Sequence, residues 1–145
     1  MSMLPDLQAS LLCEDVRQER NGKFIFIGLF DSITAVQYPV IVPRLFVVTR
    51  WCGGEGKFHQ QTRLVHPDQK TVVIQGQAIP VKLHGQYVMA TSIELFINVS
   101  FQIAGIYWVE VLLENDLKIR YPLRIMPPQP FNKQQIKEEG REPSP

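Results

Sequence analysis

The sequence predicts an all-β protein, an antiparallel two-sheet β-sandwich of roughly seven to nine strands. Three observations carry that expectation. From Met89 to Phe101 apolar and polar residues alternate with a period of two, the mark of a strand with one buried face. The alternation assigns Ile93, Leu95, Ile97, Val99 and Phe101 to the core, and Glu94, Phe96 and Asn98 to the outside. It resumes in Tyr107, Val109, Val111 and Leu113 after Ala104-Gly105, and again from Leu117 to Ile125 after Asn115-Asp116, giving a meander with one oily face. Finally, no window in the body shows helical spacing, so a second sheet has to cover that face.

Taken in order, Leu7 to Gln18 reads as the first strand, and Arg20-Asn21-Gly22-Lys23 follows with a strong hairpin signal, since Asn and Gly tolerate the positive φ of a type I′ turn. Lys23 to Phe30 is apolar on both faces, which predicts a central strand covered on both sides. Thr34 to Val42 carries Pro39 and is followed by Pro43, so it reads as an edge strand or an extended connection. Arg44 to Trp51 alternates again. The glycine-dense turn Cys52 to Gly56 leads into Lys57 to Val65, the most polar strand, expected to have one wet face or to lie at an edge. Pro67-Asp68 turns the chain onto Thr71 to Gln75, and Gly76 to Gln86 crosses to the meander with a short extended piece at Val81 to Leu83. The way the chain finishes, with Gly105-Ile106-Tyr107, a tight turn and a last strand, gives the sandwich an immunoglobulin-like cast. A small β-barrel has the same strand signature, and one sequence does not separate the two.

The body, residues 1–128, is one domain, and residues 129–145 read as a flexible polar tail. Within the tail only Phe131 and Ile136 are large and apolar, and Asn132 to Glu139 could form a short helix that docks them.

Composition narrows the function classes. In a chain of 145 residues, 45% are hydrophobic and 20% charged, ordinary globular values. With 15 Lys+Arg against 14 Asp+Glu there is no field to gather nucleic acid. The start, Met1-Ser2-Met3-Leu4-Pro5-Asp6, lacks the basic and apolar regions of a signal peptide, and no stretch approaches a membrane span, so a cytoplasmic protein with no membrane partner is expected. In a reducing compartment Cys13 and Cys52 are expected as free thiols. The sequon at Asn98-Val99-Ser100 lies inside a predicted strand and is read as chance.

Leu12-Cys13-Glu14-Asp15-Val16, then Asn21-Gly22-Lys23-Phe24-Ile25-Phe26-Ile27-Gly28 with Phe30-Asp31-Ser32-Ile33, and late in the chain Gly105-Ile106-Tyr107, carry a resemblance. On these residues the chain resembles a family of small bacterial proteins catalogued as a domain of unknown function, over Leu7 to Met126. The resemblance supports the immunoglobulin-like sandwich. It implies no reaction, ligand or site residue.

Chemistry-bearing residues are few and scattered. His59, His66 and His84 show no spacing that converges metal ligands, so no metal and no cofactor are expected. Cys52, in Trp51-Cys52-Gly53-Gly54, lacks a base beside it in sequence, and Gly53-Gly54-Glu55-Gly56 lacks the context of a phosphate loop. No catalytic residue is assigned, and the protein is expected not to be an enzyme. An enzyme missed by these motifs would use His59, His66 or Cys52.

What remains is recognition by surface. Phe46, Phe96 and Trp108 are apolar where the alternation predicts outward positions, and they are the candidate interaction surface for a protein partner or a second copy of the chain. The ordinary explanation is that the tail, the 31–43 connection or a second core layer covers them. Edge strands near Val36 to Ile41 or Lys57 to Val65 could accept a strand, though their prolines and charges look like protection against pairing. The expected function is a non-catalytic protein-interaction module. The alternative is a small-ligand or carbohydrate-binding sandwich, with Trp51, Trp108, Tyr87 and Tyr38 as stacking platforms in one groove.

Overall fold

The computed structural model describes residues 3–128, and its regular elements are all strands. In chain order these are β1 (Asp6–Gln18), β2 (Phe24–Leu29), β3 (Ser32–Thr34), β4 (Val40–Cys52), β5 (Gly56–Val65), β6 (Val72–Gln75), β7 (Ile79–Leu83), β8 (Ala90–Phe101), β9 (Gly105–Leu113) and β10 (Asp116–Met126). One sheet has the order β2-β1-β4-β8. The other runs β3-β10-β9-β5, with β7 and β6 sharing the far edge of β5 end to end. Among the described residues only β3 and β10 pair in parallel. The predicted tail and its docking residues Phe131 and Ile136 lie outside the described residues.

Two apolar clusters fill the space between the sheets. In the larger, Leu12, Leu45, Val47, Val99 and Phe101 of the first sheet meet Leu64, Tyr107, Val109, Leu123 and Ile125 of the second. Toward the other end, Trp51 meets Phe58, Val81, Leu83, Val111 and Leu113. Between them the inward positions turn polar: Ser10 in β1, Thr49 in β4, Gln60 and Thr62 in β5, Glu94 in β8 and Tyr121 in β10. These groups satisfy one another, as buried polar groups must. Trp51 Nε1 donates to Gln60 Oε1 at 2.7 Å, while Gln60 Nε2 and Thr62 Oγ1 donate to Glu94 Oε1 at 3.2 and 2.6 Å. The Ser10 and Tyr121 hydroxyls bond at 2.9 Å. Burial pushes the Tyr121 hydroxyl up to about 12.

The meander forms as the alternation predicts in β9 and, from Ile119 onward, in β10, where a register slip after Leu117 leaves that residue exposed; Tyr107 locks its corner. Its ring packs edge-on against Phe101 with centroids 4.9 Å apart, and its hydroxyl donates to the Ile103 carbonyl at 2.8 Å. In β8 the alternation breaks. Phe96 and Val99 both face inward, with Ile97 and Asn98 both outside, because the backbone at Asn98 takes φ 53° and spends an extra residue. β4 makes the matching skip, Val42 and Leu45 inward with Pro43 and Arg44 outside, so the β4–β8 register is kept across the kink. Pro43 is tolerated there because β4 has already parted from β1, whose ladder ends at Cys13 opposite Phe46. Ile97 is therefore 65% exposed rather than core, and Glu94 is interior rather than wet.

Two further expectations need correcting. β5 is no edge strand, since β9 flanks one side and β6 and β7 the other; its wet face, with Lys57 and His59, is as expected. β2, expected as a central strand, is the outermost strand of its sheet.

Candidate interaction surface

The β1–β2 hairpin begins at a tight loop. Glu19 N–H donates to the Lys23 carbonyl at 2.8 Å and Gly22 N–H to the Glu19 carbonyl at 2.9 Å. Gly22 has φ 90° while Asn21 does not have a positive φ, so this is a three-residue loop closed by a left-handed glycine rather than a type I′ turn. Five residue pairs, from Gln18 opposite Phe24 to Cys13 opposite Leu29, set the register.

Beyond Cys13 the hairpin has left β4, and it folds over the outer face of the first sheet. Val16 and Phe26 pack onto Cys13, Phe46 and Val48 of that face, together with Ile93 of β8. The bend falls at Gly28, with φ 70°, and a side chain there would meet the Glu14 carboxylate, 2.7 Å from an ideal Cβ. Cys13 is fully buried beneath this flap, which pushes its thiol pKa up. Both cysteines are free thiols.

The same flap explains Phe46. It is only 7% exposed, covered by the hairpin, with the Arg44 guanidinium 5.1 Å from its ring centroid and Arg44 in turn 3.6 Å from Asp15. Phe96 points the other way, into the interior against the larger cluster. Trp108 lies half-buried on the outer face of the second sheet, with Arg120 4.2 Å over its ring and Glu110 between Arg63 and Arg120. The three predicted surface residues therefore occupy three separate places and form no common patch.

β2 is what sequence reasoning missed. Phe24, Ile25, Ile27 and Leu29 are 39, 42, 40 and 60% exposed, and among the described residues the strand pairs with β1 alone. Six residues, Phe-Ile-Phe-Ile-Gly-Leu, thus present an uncharged edge with apolar side chains on both faces. Natural edge strands ordinarily carry charges, prolines or bulges that discourage pairing. Only the bend at Gly28 does so here. The segment Val36 to Ile41 is mostly irregular, and only its end enters β4.

The other candidate chemistry stays apart. Trp51 is fully buried, Tyr87 stands 92% exposed in the β7–β8 loop, and Tyr38 packs against the core, so the four proposed stacking rings line no single groove. An open cleft of about 440 Å³ lies where β1 faces β10, lined by Leu12, Phe30, Tyr121 and Pro122 among others, none of them those rings. His59 Nδ1 is 3.3 Å from Glu114 Oε1, but that oxygen also accepts the His59 backbone N–H at 2.6 Å and so ties β5 to the β9–β10 turn. His66 Nδ1 accepts the Asp68 N–H at 3.0 Å. The Asp68 carboxylate is engaged by the Thr71 hydroxyl and by the Thr71 and Lys70 amides, which hold it far below the usual carboxylate range. These are turn-building contacts. Among the described residues no three His, Cys, Asp or Glu side chains converge on one point, and no helix is long and apolar enough to cross a membrane.

No curated protein and no solved structure matches the chain. The match is at the level of a family: the model of DUF6941, a family of unknown function, covers residues 8–126, and the chain belongs to that family.

Proposed function

We propose that this protein is a non-catalytic protein-interaction module of the cytoplasm, an immunoglobulin-like sandwich whose docking element is the β1–β2 hairpin. The strand order supports the immunoglobulin-like cast. β1-β4-β8 facing β10-β9-β5 follows the A-B-E and G-F-C arrangement, and the Tyr107 hydroxyl bond to Ile103 corresponds to a tyrosine corner. The observation that carries the docking role is β2. Its two-sided apolar sequence is that of a covered strand, and it lies at a sheet edge with Phe24, Ile25, Ile27 and Leu29 exposed. Apolar edges of this kind recognise an extended segment by main-chain hydrogen bonds, with side-chain contacts adding specificity.

Site-specific photo-crosslinking in cells tests the reading. A photoreactive residue at Ile27 should trap protein, whereas one at Lys118, exposed on the other sheet, should not. Equal trapping from the two positions, or none from Ile27, would refute a docking role for the hairpin.

A further inference from the structure

We propose that the occupant of this edge is a second copy of the chain, paired antiparallel β2 to β2 about a two-fold axis through Ile27. The inference rests on the docking role of the hairpin and names its partner. An antiparallel strand paired with itself must be centred on a residue, because opposite residues must present their backbone groups to the same side. Centring on Ile27 sets Ile27 against itself, Phe26 opposite Gly28 and Ile25 opposite Leu29 of the second copy; Phe24 comes opposite Phe30, which lies just beyond β2 and whose N–H stays bonded to the Leu12 carbonyl of its own chain. All seven positions are uncharged.

The charges fall at the ends. Lys23 and Asp31 are equidistant from Ile27, so the same register sets Lys23 of each copy opposite Asp31 of the other, twice by symmetry. Both are exposed, and Asp31, its side chain 81% accessible, has only a 3.4 Å contact to Arg124. The wider hairpin keeps this polarity in net charge: Arg17, Arg20 and Lys23 outweigh Glu19 toward the loop, and Glu14, Asp15 and Asp31 lie toward the base. An antiparallel pair sets loop against base, which satisfies both; a parallel pair would set like against like. An unrelated apolar strand would use the edge but not this symmetric placement of opposite charges.

A pair of six-residue strands, each bent at Gly28, buries less than the roughly 1,600 Å² of a standard interface, so the dimer should be weak and concentration-dependent. Sedimentation of the full chain over a concentration series should show monomer giving way to dimer. Ile27→Lys, with two ammonium groups face to face, should abolish the dimer. Lys23→Asp or Asp31→Lys alone should raise the dissociation constant about tenfold, and the two together should restore it. Ile27→Cys should form a disulfide-linked dimer under mild oxidation and Ile25→Cys should not, because Ile25 faces Leu29. A chain that stays monomeric, a dimer indifferent to Ile27→Lys, or a double charge reversal that fails to recover would each overturn the second-copy proposal. If such a monomer is still photo-crosslinked from position 27 to a different protein, the docking role stands and only the identity of the partner falls.

Discussion

Threonine placed at Ile97 and at Val99, two residues apart on β8, should give opposite outcomes. Strict alternation would put both on one buried face. The kink at Asn98 instead leaves Ile97 65% exposed and Val99 1% exposed among Leu45, Val47, Leu64 and Phe101. Val99→Thr keeps the shape and the β-branching, so its cost comes from chemistry: about 0.8 kcal/mol for the lost methyl and roughly 1–3 kcal/mol for burying a hydroxyl among apolar side chains. That makes about 2–4 kcal/mol, or a melting temperature lower by roughly 6–16 °C for a domain of this size. Ile97→Thr should stay within about 0.5 kcal/mol of the parent. Urea unfolding followed by tryptophan emission measures both, because fully buried Trp51 becomes wet only when the sheets part. Equal costs at the two positions would refute the face switch.

Three further outcomes are expected. Burial, its largest cause, raises the Glu94 pKa despite the bonds from Thr62 and Gln60, so the unfolded chain gives up this proton first and stability is lost as pH rises from the ordinary carboxylate range through the folded value; Glu94→Gln should lack that loss, and a parent-minus-variant stability difference flat with pH would contradict it. Gly28→Ala forces a side chain into φ 70° against Glu14 and should cost about 1 kcal/mol, loosening the flap so that a thiol reagent labels Cys13 faster; unchanged labelling would argue against the hairpin as its cover. Tyr107→Phe removes the bond to Ile103 and should cost about 1–2 kcal/mol in the same urea assay, and no measurable loss would mean that the corner contributes only its packing.

Much of the fold was legible because its information is local. The alternation of β9 and β10, the Asn21-Gly22 reversal and the Tyr107 corner each depend on residues close in sequence. The β8 kink was not, since nothing in Ile97-Asn98-Val99 announces a positive φ, and its counterpart at Pro43-Arg44 lies on another strand. β2 was misplaced for a deeper reason: covered and uncovered apolar strands look alike until the neighbours are known. Phe46 was assigned outward correctly, but its cover comes from a hairpin some twenty residues earlier, and Trp108 is roofed by Arg120 of the next strand. Where the alternation was unbroken, pattern gave a side chain its face. It could not say what lies over that face.

Phe26 packs on the sheet, whereas Ile25, Ile27 and Leu29 of β2 are proposed to serve association rather than the core. The most direct measurement pairs a dilute-solution melt with sedimentation of the full chain carrying both Ile25→Lys and Leu29→Lys. Those positions are 42 and 60% exposed, so the melting temperature should match the parent while association disappears. A melt that collapses, or association that survives both lysines, would contradict the claim.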